Sequence, residues 1–315
     1  MIGPIRLLAA AILAHASVAL AQPLGPPSTD SQQTEEFKLK AEEYERLTVP
    51  VSVAGTGPYY FLVDTGADRT AISRDLAGRL NLSPSQDARL HSISGPSSVA
   101  TAVIRDLRLT SRPVTIQQAP LLNARHIGAD GILGVDSLSK ERVVFDFVAQ
   151  TMSVVPSTAA EVRDEAGAIV VKARRRNGRL IISEAKADGR PVTVVLDTGA
   201  QVTIGNAALR KALRVGERLR VTGTIELESV TGGKVQGEVV TLPKVVVGGV
   251  TLANLVVVFA DAHTFRQLEL EQRPALLLGM NAMRAFKKVS IDFANRRFRV
   301  VVPEHSEGLV RLARL

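Results

Sequence analysis

The sequence predicts a mainly β fold that is built from two tandem copies of one unit, with few short helices. Two observations lead to this prediction. Hydrophobic residues make up 45% of the 315 residues and aromatic residues only 4%, and valine recurs in short runs, which favours strands. In addition, one series of short motifs occurs twice along the chain in the same order, which is the signature of an internal repeat.

Each copy opens with an apolar run that leads into the same four residues, Asp-Thr-Gly-Ala. In the first copy residues 59–63 precede Asp64, and in the second copy residues 192–196 precede Asp197. A turn sequence that contains Gly and Pro comes before each run. Each run is therefore predicted to be a buried strand that ends at the aspartate.

The two copies stay in step downstream of the aspartates. Three further landmarks match, and each copy then closes with a Val-rich strand. The matched pairs are Ser92–Gly95 with Ser229–Gly232, Ile132–Asp136 with Leu277–Asn281, and Val143–Phe147 with Val289–Phe293. Short helices are predicted at Arg74–Leu80 and Asn206–Leu213, where apolar residues recur at helical spacing.

The N-terminus has the pattern of a secretory signal peptide. Arg6 precedes a mostly apolar run over residues 7–20, and Ala19-Leu20-Ala21 fits a small-x-small cleavage site. We expect cleavage after Ala21, export, and a periplasmic location; a retained N-terminal anchor is the alternative. No other segment approaches transmembrane length, so no stable membrane span is expected after cleavage.

These features divide the chain into six predicted segments. The Pro- and Gly-rich stretch after the signal and the small, charged, poorly periodic stretch between the copies are assigned to non-core segments. The predicted boundaries are 1–21 for the signal peptide, 22–47 for an N-terminal extension, 48–156 for the first lobe, 157–168 for a linker, 169–303 for the second lobe and 304–315 for a C-terminal tail.

Composition excludes several classes of site. Cysteine is absent, which excludes disulfides, thiol nucleophiles and cysteine-based zinc sites. The five histidines show no metal-ligand spacing, so surface or packing roles are predicted for them and no metal site. The formal charge is +8, but no nucleic-acid motif accompanies it, so we predict a solvated basic surface and no nucleic-acid partner. The densest basic run, residues 172–179, contains Asn-Gly and predicts an exposed turn.

Asp64 and Asp197 are the predicted catalytic residues. A single Asp-Thr-Gly could be a simple turn, because Asp and Thr form local hydrogen bonds and Gly supplies a positive φ. Two Asp-Thr-Gly motifs at matched strand ends favour a catalytic role over a simple turn. Two buried carboxylates that are brought together cannot both ionise, so they share one proton and titrate as a unit. Such a pair can activate a water on one side and polarise a carbonyl on the other.

The neighbours of the two aspartates suit this chemistry. The threonines are predicted to hydrogen-bond across the interface between the copies, and the glycines to permit the tight turn that aims each carboxylate. The alanines leave room for a substrate backbone. The residues assigned to support of the catalytic loops are Thr65, Gly66, Thr198 and Gly199.

Residues 62–70, Leu-Val-Asp-Thr-Gly-Ala-Asp-Arg-Thr, resemble the catalytic signature of retropepsin-like aspartic proteases, in particular the exported bacterial retroviral-like group. Ile132–Gly134 and Leu277–Gly279 are similar to the strand that supports the catalytic loop in that family. The resemblance spans about residues 48–303. It implies a bilobal acid-protease fold, one dyad on a pseudo-twofold axis, hydrolysis of a peptide or protein substrate, and no cofactor. Viral members are homodimers of one short copy, whereas both copies share a chain here, so one composite site per chain and a monomer are predicted.

The resemblance also implies two flaps over the site, which we expect around Ser94-Gly95 and Thr231-Gly232. The predicted substrate-binding residues are Ala67, Asp68, Ala200, Gln201, Ser94, Gly95, Thr231 and Gly232. Many viral members have an arginine where this chain has Val135 and Met280, so the ion pair that would hold Asp68 is expected to be missing. Asp68 is matched by Gln201, so the two halves of the cleft are expected to differ.

Two other functions remain open at this point. One is a non-catalytic peptide-binding or scaffolding protein on the same fold, because fold does not fix function. The other is a protein that binds anionic lipid or the cell envelope, and it rests on the positive charge alone.

Overall fold

The computed structural model describes residues 47–110, 112–159, 167–176 and 179–303, and the backbone of three short strands at 35–38, 40–41 and 309–311. The predicted signal peptide and most of the predicted extension, linker centre and C-terminal tail lie outside the described residues. Within the described part, no helix combines the length and the apolar composition that a bilayer crossing requires.

Strands dominate the described chain, and the prediction of a mainly β fold from two similar sheet lobes is confirmed. The strands of the first copy are β1 (Glu35–Lys38), β2 (Lys40–Ala41), β3 (Leu47–Val53), β4 (Thr56–Val63), β5 (Ala71–Ser73), β6 (Pro84–Ser92), β7 (Gly95–Arg108), β8 (Pro113–Leu122), β9 (Gly131–Leu133), β10 (Glu141–Asp146) and β11 (Thr151–Pro156). The later strands are β12 (Ala168–Lys172), β13 (Arg174–Arg176), β14 (Arg179–Ala187), β15 (Arg190–Leu196), β16 (Thr203–Gly205), β17 (Val221–Glu228), β18 (Lys234–Val247), β19 (Val250–Ala260), β20 (Ala275–Leu278), β21 (Lys288–Asp292), β22 (Arg297–Val301) and β23 (Leu309–Arg311).

The helices are short and occupy matching places in the two copies. They are α1 (Arg74–Arg79), α2 (Ala124–Ile127), α3 (Val135–Leu138), α4 (Ala207–Leu213), α5 (His263–Gln267) and α6 (Met280–Met283). The two helices predicted from periodicity are confirmed as α1 and α4. Ser73 and Asn206 cap them, because each side-chain oxygen accepts a hydrogen bond from a backbone N–H of the first turn.

Each lobe contains one sheet with the same strand order. The first sheet runs β2-β3-β4-β9-β5-β8-β7-β6 and the second runs β13-β14-β15-β20-β16-β19-β18-β17, with β23 added beside β19. In both sheets the strand that leads to the predicted catalytic aspartate pairs in parallel with the strand that precedes the matched glycine, β4 with β9 and β15 with β20. This pairing places the end of one strand beside the aspartate that follows the other.

A third sheet joins the two lobes. Its order is β1-β11-β10-β21-β22-β12, so it takes three strands from each half of the chain, with β1 coming from the predicted N-terminal extension. At its centre β10 pairs antiparallel with β21, with Val144 opposite Ser290. Val143, Phe145, Val289 and Ile291 are buried on one face of this central pair. The largest apolar core cluster includes residues of both lobes and of this sheet, and it is mainly aliphatic.

The basic run at residues 172–179 differs from the predicted exposed turn. Lys172 ends β12, Arg174–Arg176 form β13, and Arg179 begins β14. Arg179 is only 8% exposed. β13 pairs antiparallel with β14, with Arg174 opposite Ile181. The Asn-Gly of the predicted turn, residues 177–178, lies outside the described residues. The prediction is wrong in that Arg174–Arg176 form a strand and in that Arg179 is buried, with its Nε donating to the carbonyl of Gly66 in the first lobe.

Candidate active site

Asp64 and Asp197 stand immediately after β4 and β15. The backbone N–H of Asp64 donates to the carbonyl of Leu133 at 3.0 Å, and that of Asp197 donates to the carbonyl of Leu278 at 3.1 Å. Each aspartate is therefore fixed by the strand that runs parallel to its own. Both residues are half-buried.

The backbone of each loop holds its own carboxylate. The N–H of Gly66 donates to Oδ1 of Asp64 at 2.7 Å. In the second loop the N–H groups of Gly199 and Ala200 both donate to Oδ1 of Asp197 at 3.1 Å. Backbone donors of this kind orient a carboxylate and favour its ionised form.

Thr65 and Thr198 tie the two loops together, and the hydrogen bonds predicted between them are present. Each hydroxyl accepts from the other residue's backbone N–H, at 3.0 and 3.1 Å. Each hydroxyl also donates to a carbonyl of the opposite lobe, Thr65 to Leu196 at 2.9 Å and Thr198 to Val63 at 2.7 Å. Both threonines are buried, with exposures of 1% and 4%. The loops therefore form one unit across the lobes.

Gly66 and Gly199 each lie against the carboxylate of the opposite loop. A Cβ atom on Gly66 would fall 2.6 Å from Oδ1 of Asp197, and a Cβ on Gly199 would collide with the carboxylate of Asp64. Neither glycine has a positive φ. The positive φ considered for this motif from sequence is thus not the reason for glycine; a close approach between the loops is. The same contacts bring both aspartates into one site.

Sequence reasoning missed a second layer of support behind each loop. Thr70 donates through both its N–H and its hydroxyl to Oδ1 of Asp136, and its hydroxyl accepts from the N–H of Gly134 at 3.1 Å. Thr203 and Asn281 repeat this arrangement with Gly279 in the second lobe. The signal was available, because Asp136 and Asn281 occupy matched positions of the repeat.

Gly134 and Gly279 allow the catalytic loops to lie close to the supporting strands. A Cβ on Gly134 would overlap the backbone of Arg69, and a Cβ on Gly279 would fall 2.5 Å from the carbonyl oxygen of Val202. A side chain at either position would collide with the loop backbone, which explains why glycine follows each supporting strand.

Asp68 does have a cationic neighbour, contrary to expectation. The guanidinium of Arg179 lies 3.7 Å from its carboxylate, and Nε of Arg179 donates to the carbonyl of Gly66 at 2.7 Å. The expected absence of an ion pair was wrong because the arginine comes from the other lobe rather than from the position after Gly134. Asp68 remains 56% exposed at its side chain. Gln201 at the matched position is half-buried and uncharged.

Two β-hairpins project from the lobes at the positions predicted for flaps. We call β6–β7 the first flap and β17–β18 the second flap. Their tips meet through four hydroxyl groups. Oγ of Ser94 lies 2.9 Å from Oγ of Ser229, and Oγ of Ser92 lies 3.2 Å from Oγ1 of Thr231. Hydrogen bonds within each tip, Ser92 to Ser94 and Ser229 to Thr231, complete a ring. Gly95 and Gly232 adopt positive φ in these tips.

The structure thus brings the predicted catalytic and loop-support residues into one place at the interface of the lobes. It places Ala67, Ala200, Asp68 and Gln201 on the same two loops, and Ser94, Gly95, Thr231 and Gly232 at the tips of the flaps. Their role in binding substrate stays a prediction.

Comparison with known families supports the repeat. A family model described as aspartyl protease matches residues 49–137 and 183–282, one segment in each copy. A search of curated proteins gives no significant match.

Proposed function

The chain belongs to the aspartyl protease family, and on this premise we propose that it is an endopeptidase that cleaves peptide bonds with a water activated between Asp64 and Asp197. The observation that carries the proposal is the reciprocal packing of the two loops. Each carboxylate lies against the glycine of the other loop, and the two threonines lock that arrangement. One site therefore uses one aspartate from each lobe.

The proposed chemistry follows from the proximity of two acidic groups. Like charges disfavour each other, so one proton is shared between the carboxyl groups. The ionised carboxylate takes a proton from water, and the hydroxide oxygen bonds to the carbonyl carbon of the substrate. The protonated carboxyl group meanwhile donates to the carbonyl oxygen. The tetrahedral intermediate then breaks its C–N bond, and the amine leaves with a proton from the dyad.

The surroundings support binding of an extended peptide. Ala67 and Ala200 follow the glycines of the two Asp-Thr-Gly motifs and carry only a methyl group, which leaves room above the carboxylates. The flap tips meet through their hydroxyl groups. A peptide bound between the loops and the flaps would be shielded from bulk water, which strengthens the electrostatic interactions within the site.

The test is cleavage of a peptide library by the purified chain, followed by mass spectrometry. We expect Asp64→Asn and Asp197→Asn each to lose nearly all activity while remaining folded, because Asn keeps the shape but cannot ionise. The matched control is Asp75→Asn, an exposed aspartate in α1, which should keep the wild-type rate. A statine-type inhibitor should block the wild type.

Two outcomes would overturn the proposal. If either single variant kept about half of the rate, as independent additive sites require, the composite site would be wrong. If the chain bound peptides without cleaving any, the non-catalytic peptide-binding function on the same fold would replace it. A shared proton also predicts a bell-shaped pH profile, with activity falling on the alkaline side as the second proton leaves.

The proposal includes export to the periplasm, with a mature chain that begins at Gln22. Its support is the pattern of Arg6, the apolar run and Ala19-Leu20-Ala21. Cell fractionation and N-terminal sequencing test it. A cytosolic protein that still begins at Met1 would contradict it.

A further inference from the structure

The first flap is fastened to the second lobe beside α5. The backbone N–H of His263, the first residue of α5, donates to the carbonyl of Ile93 at the flap tip at 2.8 Å. The side chain of Ile93 packs against an apolar cluster of the second lobe that includes Ala262 and Phe265. The flap tip is therefore held by a lobe to which it does not belong.

A pair of imidazoles completes this contact. Nδ1 of His91, near the end of β6, lies 2.9 Å from Nε2 of His263. The two rings lie edge to edge, with centroids 5.2 Å apart and planes only 8° from parallel, as a hydrogen bond between ring nitrogens requires. A hydrogen bond between two ring nitrogens needs a donor on one ring and a lone pair on the other. The contact is therefore possible with no proton or one proton added to the pair, and it is lost when both rings are protonated.

The charged groups around this pair are mainly cationic. Arg89 faces it from β6, and Arg266 faces it from the next turn of α5, where Nε of Arg266 approaches Nδ1 of His263 at 3.4 Å. Asp261 is the acidic neighbour, and it is engaged by Arg266 at 2.8 Å. Addition of protons to the imidazoles thus takes place in a positive field, which disfavours the doubly protonated closed state.

The second flap is fastened to the first lobe at the matched helix. Nδ1 of His126, in α2, forms a short contact with Oε1 of Glu228, the last residue of β17. Val230 at the flap tip packs against the apolar cluster that includes Ile127, and a Cβ on Gly232 would fall 2.8 Å from the ring of His126. Lys234 and Glu226 are the other charged groups near Glu228.

The two fastenings differ in what a proton does to them. A carboxylate oxygen of Glu228 can accept a hydrogen bond from the ring of His126 whether that ring is neutral or protonated, so this contact survives protonation of the imidazole. Two facing imidazoles are driven apart when both carry a proton, since each ring then offers only donors and the two charges are alike.

We propose that His91 and His263 are positioning residues that hold the first flap closed near neutral pH and release it on acidification, while His126 and Glu228 keep the second flap in place. The flap that opens would admit a peptide to the dyad from one side. This inference rests on the proposed function for its purpose, but the motion itself can be measured without any catalysis.

The titration of His263 supports the direction of the change. Burial lowers the pKa of His263 below its ordinary value of 6.5, and the neighbouring His91, Arg266 and Arg89 lower it further, against a smaller opposing effect of Asp261. The closed state therefore takes up a proton less readily than the open state. Its stability is fully present above pH 6.5 and is lost as pH falls below that value toward the lowered pKa.

The absence of native cysteine permits a direct measurement of flap position. Nitroxide labels at Ser98→Cys in the first flap and Gln272→Cys in the second lobe, both exposed sites, report the distance between them by double electron–electron resonance. We expect one short distance at about pH 7.5 and a growing longer-distance population toward about pH 5. One linked proton changes the open-to-closed ratio by at most about tenfold per pH unit.

The decisive variant is His263→Gln in the labelled chain, because an amide can hydrogen-bond to His91 but does not titrate in this range. Its long-distance population should stay constant with pH. If this variant fails to fold, as judged by circular dichroism, His91→Gln tests the same contact. A second label pair, Thr224→Cys with Gln117→Cys, follows the second flap and should report no opening at about pH 5.

Two results would overturn the inference. One is a distance distribution for the first flap that is identical at the two pH values. The other is a His263→Gln variant that opens on acidification like the wild type, which would assign the motion to other groups. Neither result depends on cleavage, so a failure here and an absence of protease activity are separate findings.

Discussion

Nε of Arg179, in the second lobe, donates a 2.7 Å hydrogen bond to the carbonyl of Gly66, in the catalytic loop of the first lobe. The arginine side chain is only 10% exposed, and its other end lies 3.7 Å from the carboxylate of Asp68. A charged donor strengthens such a bond. The placement of the first catalytic loop therefore depends on a residue far from the Asp-Thr-Gly motif in sequence.

Arg179→Met should reduce kcat more than it changes KM, by about tenfold to a hundredfold, because a small misplacement of a reacting group is costly. Steady-state kinetics on a cleaved peptide measure this. Arg174→Met is the control, since it removes an exposed arginine of β13 and leaves the bond to Gly66 intact. Equal kcat for Arg179→Met and the wild type would show that this bond does not position the loop.

Thr65→Val should destabilise the chain by about 2–4 kcal/mol. The substitution keeps the shape but leaves the N–H of Thr198 and the carbonyl of Leu196 without their partner in a buried interface, and each orphaned group costs about 1–3 kcal/mol. Urea unfolding provides the measurement. Thr65→Ser retains the hydroxyl and should lose much less. Similar losses for both variants would indicate that the methyl group matters rather than the hydrogen bonds.

Gly134→Ala should destabilise the chain and lower activity, because the added methyl overlaps the backbone of Arg69. Overpacking of this kind costs about 1–3 kcal/mol. Gly78→Ala is a matched control in α1, where a Cβ meets nothing within 4 Å. Alanine there should stabilise by about 0.5–1 kcal/mol, since it favours the helix. Thermal unfolding of the two variants should therefore shift in opposite directions.

Glu141→Gln should raise stability at neutral pH and leave it unchanged in acid. Burial raises the pKa of Glu141 from its ordinary value of 4.5, and the attraction of Arg112 and Lys140 only partly offsets it. The folded state thus holds the proton more tightly than the unfolded state. The wild type is then most stable below pH 4.5 and loses that stability as pH rises toward the raised pKa.

Urea unfolding of the wild type and Glu141→Gln at about pH 4 and about pH 7 tests this. The difference between the two proteins should be near zero at the lower pH and should favour the variant at the higher pH. A variant that is less stable at neutral pH would mean that the attraction to Arg112 outweighs burial.

The repeat explains why so much of the fold was accessible from sequence. Asp64 and Asp197 directly follow strands whose last residues are apolar, and matched landmarks fix which strands correspond. Periodicity likewise located α1 and α4, whose caps at Ser73 and Asn206 are local signals. Strand ends, helical periodicity and helix caps each involve only a few neighbouring residues, so they can be recognised from composition and spacing.

Contacts between the lobes were not accessible in the same way. Arg179 reads as part of a basic turn, yet it is buried against Gly66 because β13 and β14 carry it to the interface. His91 and His263 are separated by more than half of the chain, and nothing in their spacing indicates a pair. Such contacts depend on the arrangement of two lobes, which a single pattern does not encode.

The central sheet has a consequence for biosynthesis. β10 belongs to the first copy, but its partner β21 is translated only after most of the second copy. Until then the nascent first lobe presents an unpaired strand edge, a surface that invites association with other chains. Closure of the edge requires contacts between residues that are distant in sequence, which form slowly. Interruption of synthesis before β21 would thus release a fragment in which this edge of β10 stays open.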